Sequence, residues 1–311
     1  MNGKARFAVL AASLLVGLGL ASASTSPAAG QEEGTPTIKD AAAALYHGIY
    51  GDPVRLVDGR HEGEPFEEGG ASRPMIGLIE QLQMEADLDG DGRAERLVFL
   101  WENSGGSGAN MFLARLSEPG VAHAVFLGNR LQVRGVEVLD DSVAIQFLRA
   151  GGDDALCCPG ELATQHWGAH GDGLGLVADE VEGRLSLAAI AGLWSWIPTP
   201  AMQEKGIAWA RATITLQPNG ALVGAAPCNR VTGALEFVPP NELRPSPLAA
   251  TMRLCESPLF MAESYLVSRL QAVNGVGWNM GRLALSWNIA DEYGYLLFGA
   301  GSPDAPGTSQ P

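Results

Sequence analysis

Nine consecutive residues, Asp87-Leu88-Asp89-Gly90-Asp91-Gly92-Arg93-Ala94-Glu95, place four carboxylates at the first, third, fifth and ninth positions of one short loop. That alternation suits a hard, oxygen-seeking cation. The side chains of Asp87, Asp89, Asp91 and Glu95 and the backbone carbonyl of Arg93 can converge on one point, while Gly90 and Gly92 permit the positive φ of a tight turn. Calcium is the expected occupant. An EF-hand needs a bidentate acid at its twelfth position, which here is Val98, so the loop is not an EF-hand. The competing reading is an Asp/Gly-rich turn whose side chains bond their own backbone. Acids bunched this closely repel one another without a cation, and this favours calcium.

Two further groups have the residue types for chemistry. Glu102-Asn103-Ser104-Gly105-Gly106-Ser107-Gly108-Ala109-Asn110 has the glycines of a phosphate loop or a nucleophile elbow. A P-loop also needs Gly-Lys-Ser/Thr, and no lysine lies between Lys39 and Lys205. An elbow needs a strand leading into a helix of a parallel sheet, and Met111–Leu116 is too short for that helix. A serine hydrolase using Ser107, Asp153 or Asp154, and His166 or His170 is therefore the minor alternative to a glycine-rich hairpin loop. Cys157-Cys158 followed by His166 and His170 offers zinc-ligand types, but adjacent cysteines seldom turn both sulfurs to one metal. Disulfides are the expected fate. Of three connectivities, the favoured one pairs Cys228 with Cys255, worth about 3 kcal/mol by loop entropy, and leaves Cys157 and Cys158 as a vicinal pair or as free thiols.

The elements that hold these residues are mostly strands. Glycine and proline number 40 and 19, and charged residues make up only 18 %, a balance that favours short strands and turns. Apolar runs at Leu78–Met84, Arg96–Trp101, Met111–Leu116, Ala122–Leu127, Leu131–Val138 and Ser142–Leu148 predict a meander. Before it, Thr37 and Asp40 form a capping box for a helix over Ala41–His47. At the N-terminus, Lys4 and Arg6 precede an almost unbroken apolar run of 14 residues, Phe7–Leu20, and the small residues Ala21-Ser22-Ala23. This is the pattern of a secretory signal cut near Ala23; a membrane span needs about 20 apolar residues. The first cysteine is Cys157, so no thiol stands near the cut to carry a lipid anchor. Removal of Lys4 and Arg6 takes the formal charge from −15 to −17, which disfavours nucleic acid and anionic lipid as partners.

The last third alternates strands with one helix. Ser195-Trp196 ends a strand, and Thr213–Leu216 and Ala221–Gly224 flank an Asn219-Gly220 turn. Ser257 as cap and Pro258 at the first position open a helix with Leu259, Ala262, Leu266, Leu270 and Val273 on one stripe, stopped by Asn274-Gly275. The strands Gly275–Met280, Arg282–Trp287 and Tyr293–Phe298 follow, with Trp278 and Trp287 facing the core or an edge pocket. Cys228-Asn229, then Gly233, then Thr251-Met252-Arg253-Leu254-Cys255 punctuate this order, and over residues 185–299 it resembles a META domain, the family of HslJ-like envelope and stress-associated modules. The resemblance implies an antiparallel sheet packed by one helix and no assigned reaction. Asn229 is expected to bond the backbone around its turn, and Arg253 to be solvated or ion-paired. Separately, the Asp-rich loop is similar over nine residues to the calcium loops of integrin-type and dockerin-like repeats.

The expectation is an α+β, mostly antiparallel β protein. Its parts are a signal (1–23), a flexible leader (24–36), a β-rich domain (37–180), a META-like domain (185–299) and a disordered tail (300–311). Its expected role is non-enzymatic: a secreted or periplasmic binding module, envelope- or stress-related, with calcium as its one candidate cofactor and an envelope or small-molecule partner. The alternative is a carrier of a small apolar or lipid-like ligand on the Trp-rich sheet and helix. No transmembrane segment is expected in the mature chain.

Overall fold

Strand β5 (Glu95–Asn103) carries Leu97-Val98-Phe99-Leu100, and all four are buried. Side chains alternate across a strand, so Leu97 and Phe99 enter one core while Val98 and Leu100 enter another. The strand therefore sits in a middle layer, which explains its unbroken apolar run.

The computed structural model describes residues 34–106, 108–198 and 211–301. Around β5 lie β1 (Leu45–His47), β2 (Val54–Arg55), β3 (Arg60–Glu62), β4 (Met75–Ala86), β6 (Asn110–Glu118) and β7 (Val121–Asn129), in the order β2-β1-β7-β6-β5-β4-β3. A second sheet orders β8 (Gln132–Val138), β9 (Ser142–Arg149), β10 (Glu161–His170) and β11 (Gly173–Arg184) as β11-β10-β9-β8. The two sheets close over Leu97, Phe99, Leu113, Ile145, Phe147 and Trp167. On the far side of the first sheet, Ala41, Tyr46, Leu56, Ile76 and Leu116 form the other core. All six strands expected of the meander are present, each within a few residues of its predicted limits.

The first helix is shorter than its sequence suggests. Helix α1 (Ile38–Ala43) has the predicted capping box, with the Asp40 amide donating to Thr37 Oγ1 at 3.2 Å and the Thr37 amide to Asp40 Oδ2 at 2.6 Å. The predicted continuation to His47 is wrong: Leu45–His47 form β1, parallel to Val121–His123 of β7. Burying Tyr46 and completing a sheet edge outweigh the weak helix propensity of a short segment.

The C-terminal sheet runs β14-β13-β12-β20-β19-β18-β16-β15-β17, and a further pairing of β14 with β15 closes it as a barrel. Its strands are β12 (Gly192–Ile197), β13 (Thr213–Leu216), β14 (Ala221–Ala225), β15 (Arg230–Val238), β16 (Glu242–Pro245), β17 (Ala249–Ala250), β18 (Val273–Asn279), β19 (Arg282–Ile289) and β20 (Glu292–Ala300). Helix α2 (Ser257–Leu270) covers the barrel with Ala262, Leu266 and Leu270, and its interior takes Trp196, Trp278, Trp287 and Phe298. Two details of this helix differ from expectation. Ser257 is its first residue and Glu256 its cap, and it stops at Leu270, leaving Val273, Asn274 and Gly275 to β18, where strand pairing buries Val273.

The boundary expected near residue 185 falls at the end of β11. Packing nevertheless continues across it: Leu148 and Leu162 join the barrel core, and the described residues form one compact unit. Among the described residues no helix is long and apolar enough to cross a membrane. The expected signal, residues 24–33 of the leader and residues 302–311 of the tail lie outside the described residues; Ala300, assigned to the tail, ends β20.

Candidate functional site

The acidic loop joins β4 to β5, and its side chains first satisfy its own backbone. Asp87 accepts from the amides of Gly90 at 2.9 Å and Gly92 at 3.0 Å, Asp89 from Asp91 at 3.2 Å, and Asp91 from Arg93 at 2.8 Å. Gly90 and Gly92 have φ of +74° and +86°, as the tight turn requires. Three of the five predicted ligands gather: carboxylate oxygens of Asp87, Asp89 and Glu95 lie within 4.8 Å of one another. Asp91 instead turns to the Arg93 side chain.

A residue that sequence reasoning missed completes the cluster. Strand register sets Arg115 of β6 opposite Leu97, two residues beyond Glu95, and only 2 % of the Arg115 side chain is exposed. Its Nη2 donates to Glu95 Oε1 at 2.5 Å and to Asp89 Oδ2, and its Nη1 to the Gly171 carbonyl at 3.1 Å. Glu95 is itself buried and accepts from the Leu88 amide at 2.9 Å. Burial opposes ionisation of Asp89, but hydrogen bonds from Arg115 and the Asp91 amide outweigh it and hold the carboxyl below its ordinary range. The cation needed to relieve the repulsion among these acids is thus partly supplied by the chain itself. A lone arginine within Met111-Phe112-Leu113-Ala114-Arg115-Leu116 was the available signal.

This donor set suits a hard cation in type and convergence, since three carboxylates share one side of the loop. The guanidinium on Asp89 and Glu95 takes up part of the charge a metal would use.

The other candidates resolve differently. Ser107 lies outside the described residues. The loop around it joins antiparallel β5 and β6, as a hairpin connection does, and Asn103 ties it by donating to the carbonyls of Gly106 at 3.0 Å and Gly108 at 3.1 Å. Cys157 and Cys158 form a vicinal disulfide, and His166 and His170 lie on β10. Asp154 is held by Arg184 and by the amides of Gly151 and Gly160, which pull its pKa from 3.8 to about 2. A carboxyl depressed in the folded state contributes stability above its unfolded pKa and loses it as pH falls through the folded value. Urea midpoints should therefore hold steady above about pH 4 and decline toward about pH 2, less steeply in Asp154→Asn.

The cysteine motif forms a latch. Cys228 and Cys255 are bonded, with Cα atoms 6.3 Å apart. Asn229 is buried beside them, and its Oδ1 accepts from Thr251 Oγ1 and from the Arg253 amide, both at 2.8 Å. Its Nδ2 donates to Glu263 Oε1 at 2.6 Å, while Glu263 Oε2 accepts from the amides of Asn229 at 2.6 Å and Cys228 at 3.0 Å. The expected bonding of the Asn229 side chain to its own turn is not what forms: its backbone partner is the Arg253 amide, 24 residues on, and its side-chain amide reaches helix α2. Glu263 was missed because on its helix it reads as an ordinary polar residue. A Cβ at Gly233 would meet the end of the Leu248 side chain, which would have to shift to make room. Arg253 is exposed and enters the latch only through its backbone.

No curated protein and no solved structure matches the chain. From β12 to β20, with the disulfide, Asn229 and Glu263 knitting strand, loop and helix together, residues 194–296 match the META domain family.

Proposed function

We propose that the chain is a non-enzymatic, exported META-domain protein of the cell envelope or extracellular space. Its role is binding, in envelope maintenance under stress, and its Asp-rich loop is a structural calcium site. The observation that carries this reading is the pairing of all four cysteines, which leaves no free thiol. Such bonds form and persist in oxidising compartments, in keeping with the secretory pattern of residues 1–23. The latch supports a scaffolding role for the motif: the polar groups of Asn229 and Glu263 are spent on each other and on backbone. For calcium, Asp87, Asp89 and Glu95 would hold the ion, which would tie the loop to the start of β5.

Expression of the full chain in a secretion-competent host tests the reading. The exported product should begin near Ser24, resist thiol alkylation before reduction and yield the 157–158 and 228–255 crosslinks on peptide mapping. A cytosolic product that begins at Met1 and carries reactive thiols would overturn it. An apolar-ligand carrier is disfavoured because the barrel interior is filled by Trp196, Leu266, Leu285 and Phe298.

A further inference from the structure

A cavity of about 510 Å³ opens on the outer face of the barrel, where β18, β19 and β20 meet the first half of the chain. Its floor follows from strand register. Gly275 lies opposite Ser286, Gly277 opposite Ala284, and Ser286 opposite Tyr295, so a patch of small side chains is bounded on one side by a tyrosine that is 57 % exposed. Its walls are amides: Gln132 from β8, Asn241 from the turn before β16, and Asn274 and Asn279 from β18. Cys157, of the vicinal disulfide, closes another side.

The chemistry of this lining narrows the ligand. Among the described residues no Asp, Glu, Lys or Arg lines the cavity, and those that do line it offer no countercharge to a phosphate, carboxylate or ammonium group. An apolar ligand would strand the amides without water or partners. A peptide strand would need a free sheet edge, whereas β18, β19 and β20 each have a neighbour on both sides. Side-chain amides both donate and accept, matching hydroxyl groups, which do the same. Two of them are held for this task. Gln132 Oε1 accepts from the Trp278 amide at 2.8 Å, leaving its NH₂ as donor, and Asn274 Oδ1 accepts from Ser286 Oγ at 2.9 Å, leaving its own. The side chains of Asn241 and Asn279 have no hydrogen-bond partner among the described residues. The volume is that of an ordinary small-ligand pocket.

We infer that this cavity binds a neutral, polyhydroxylated ligand, a saccharide of one to three units. Tyr295 and Cys157 of the vicinal disulfide supply apolar surface for the sugar faces, and the amides read its hydroxyls. The site deepens the binding role proposed above, and its residues span both halves of the chain: Gln132 and Cys157 lie outside the matched META region. This places the ligand site on the junction rather than on the cysteine motif.

The test is calorimetric titration of the oxidised full-length mature chain with cellotriose, maltotriose, chitotriose and mannotriose at millimolar concentration, with glucuronic acid and glucose 6-phosphate as charged probes. At least one neutral sugar should bind, and Tyr295→Ala and Asn241→Ala should each weaken it about tenfold. Tyr293→Ala, on the same strand outside the cavity, should leave affinity unchanged, and thermal midpoints should show that all three variants fold. The inference is overturned if no neutral sugar binds, if the charged probes bind as tightly, or if binding survives both cavity substitutions. Any of these outcomes with an intact signal cleavage and thiol map would remove the sugar site alone and leave the exported binding module standing.

Discussion

Arg115→Met is expected to lower unfolding free energy by about 3–5 kcal/mol, the range for breaking a buried ion pair by removing one partner. The side chains of Arg115 and Glu95 are only 2 % and 4 % exposed, so the substitution leaves the Glu95 carboxylate with the Leu88 amide and little else. That carboxylate is then buried beside Asp87 and Asp89 with no guanidinium to offset it, which costs stability. Asp89, more exposed, can turn to water and contributes less. Urea unfolding measures the effect, and Arg115→Met combined with Glu95→Gln should recover part of it, because the uncompensated charge is gone. A loss below about 1 kcal/mol in the single variant would mean that the pair is solvated rather than buried.

The same titration separates the internal cation from an external one. Millimolar calcium should raise the midpoint of the unmodified chain relative to chelator, by mass-action linkage, and Asp89→Ala should abolish the rise. Calcium should also rescue part of the Arg115→Met loss, since a divalent ion replaces the missing positive charge beside Glu95. No shift in either protein would exclude a structural calcium ion and leave Arg115 to neutralise the loop.

The second large effect is expected at Glu263. Glu263→Ala deprives three N–H groups, the amides of Cys228 and Asn229 and the Asn229 side chain, of one shared acceptor, at a cost of about 3 kcal/mol. Glu263→Gln keeps one oxygen acceptor and should lose about half as much. Hydrogen exchange gives the sharper readout: the Arg253 amide, held only through Asn229, should lose protection along with the two amides that Glu263 binds directly. Arg253→Ala should change stability by less than about 0.5 kcal/mol, because its side chain is exposed. Equal losses in Glu263→Ala and Arg253→Ala would contradict the latch.

Much of this architecture is readable from neighbouring residues. Period-two patterns and turn residues located β4 to β9 and β18 to β20, because alternation and positive-φ glycines act over a few positions. Thr37 and Asp40 announced their capping box for the same reason, and the Cys228–Cys255 pairing, favoured among three connectivities, is present. The acidic loop was visible as acidic. Leu45–His47 was misread as helix because its strand depends on pairing with Val54–Arg55 on one side and with β7, far along the chain, on the other.

The groups that complete each site were hidden by distance. Arg115 meets Glu95 across 20 residues of sequence, Glu263 meets Asn229 across 34, and Gln132 meets Trp278 across 146. Periodicity tells a strand which face to bury, and it supplied the sheets, the helix and the candidate ligands. It does not tell a buried carboxylate which cation will lie opposite, because Coulomb and hydrogen-bond energies depend on separation in space. That separation is set only when strand register and barrel closure bring distant segments together.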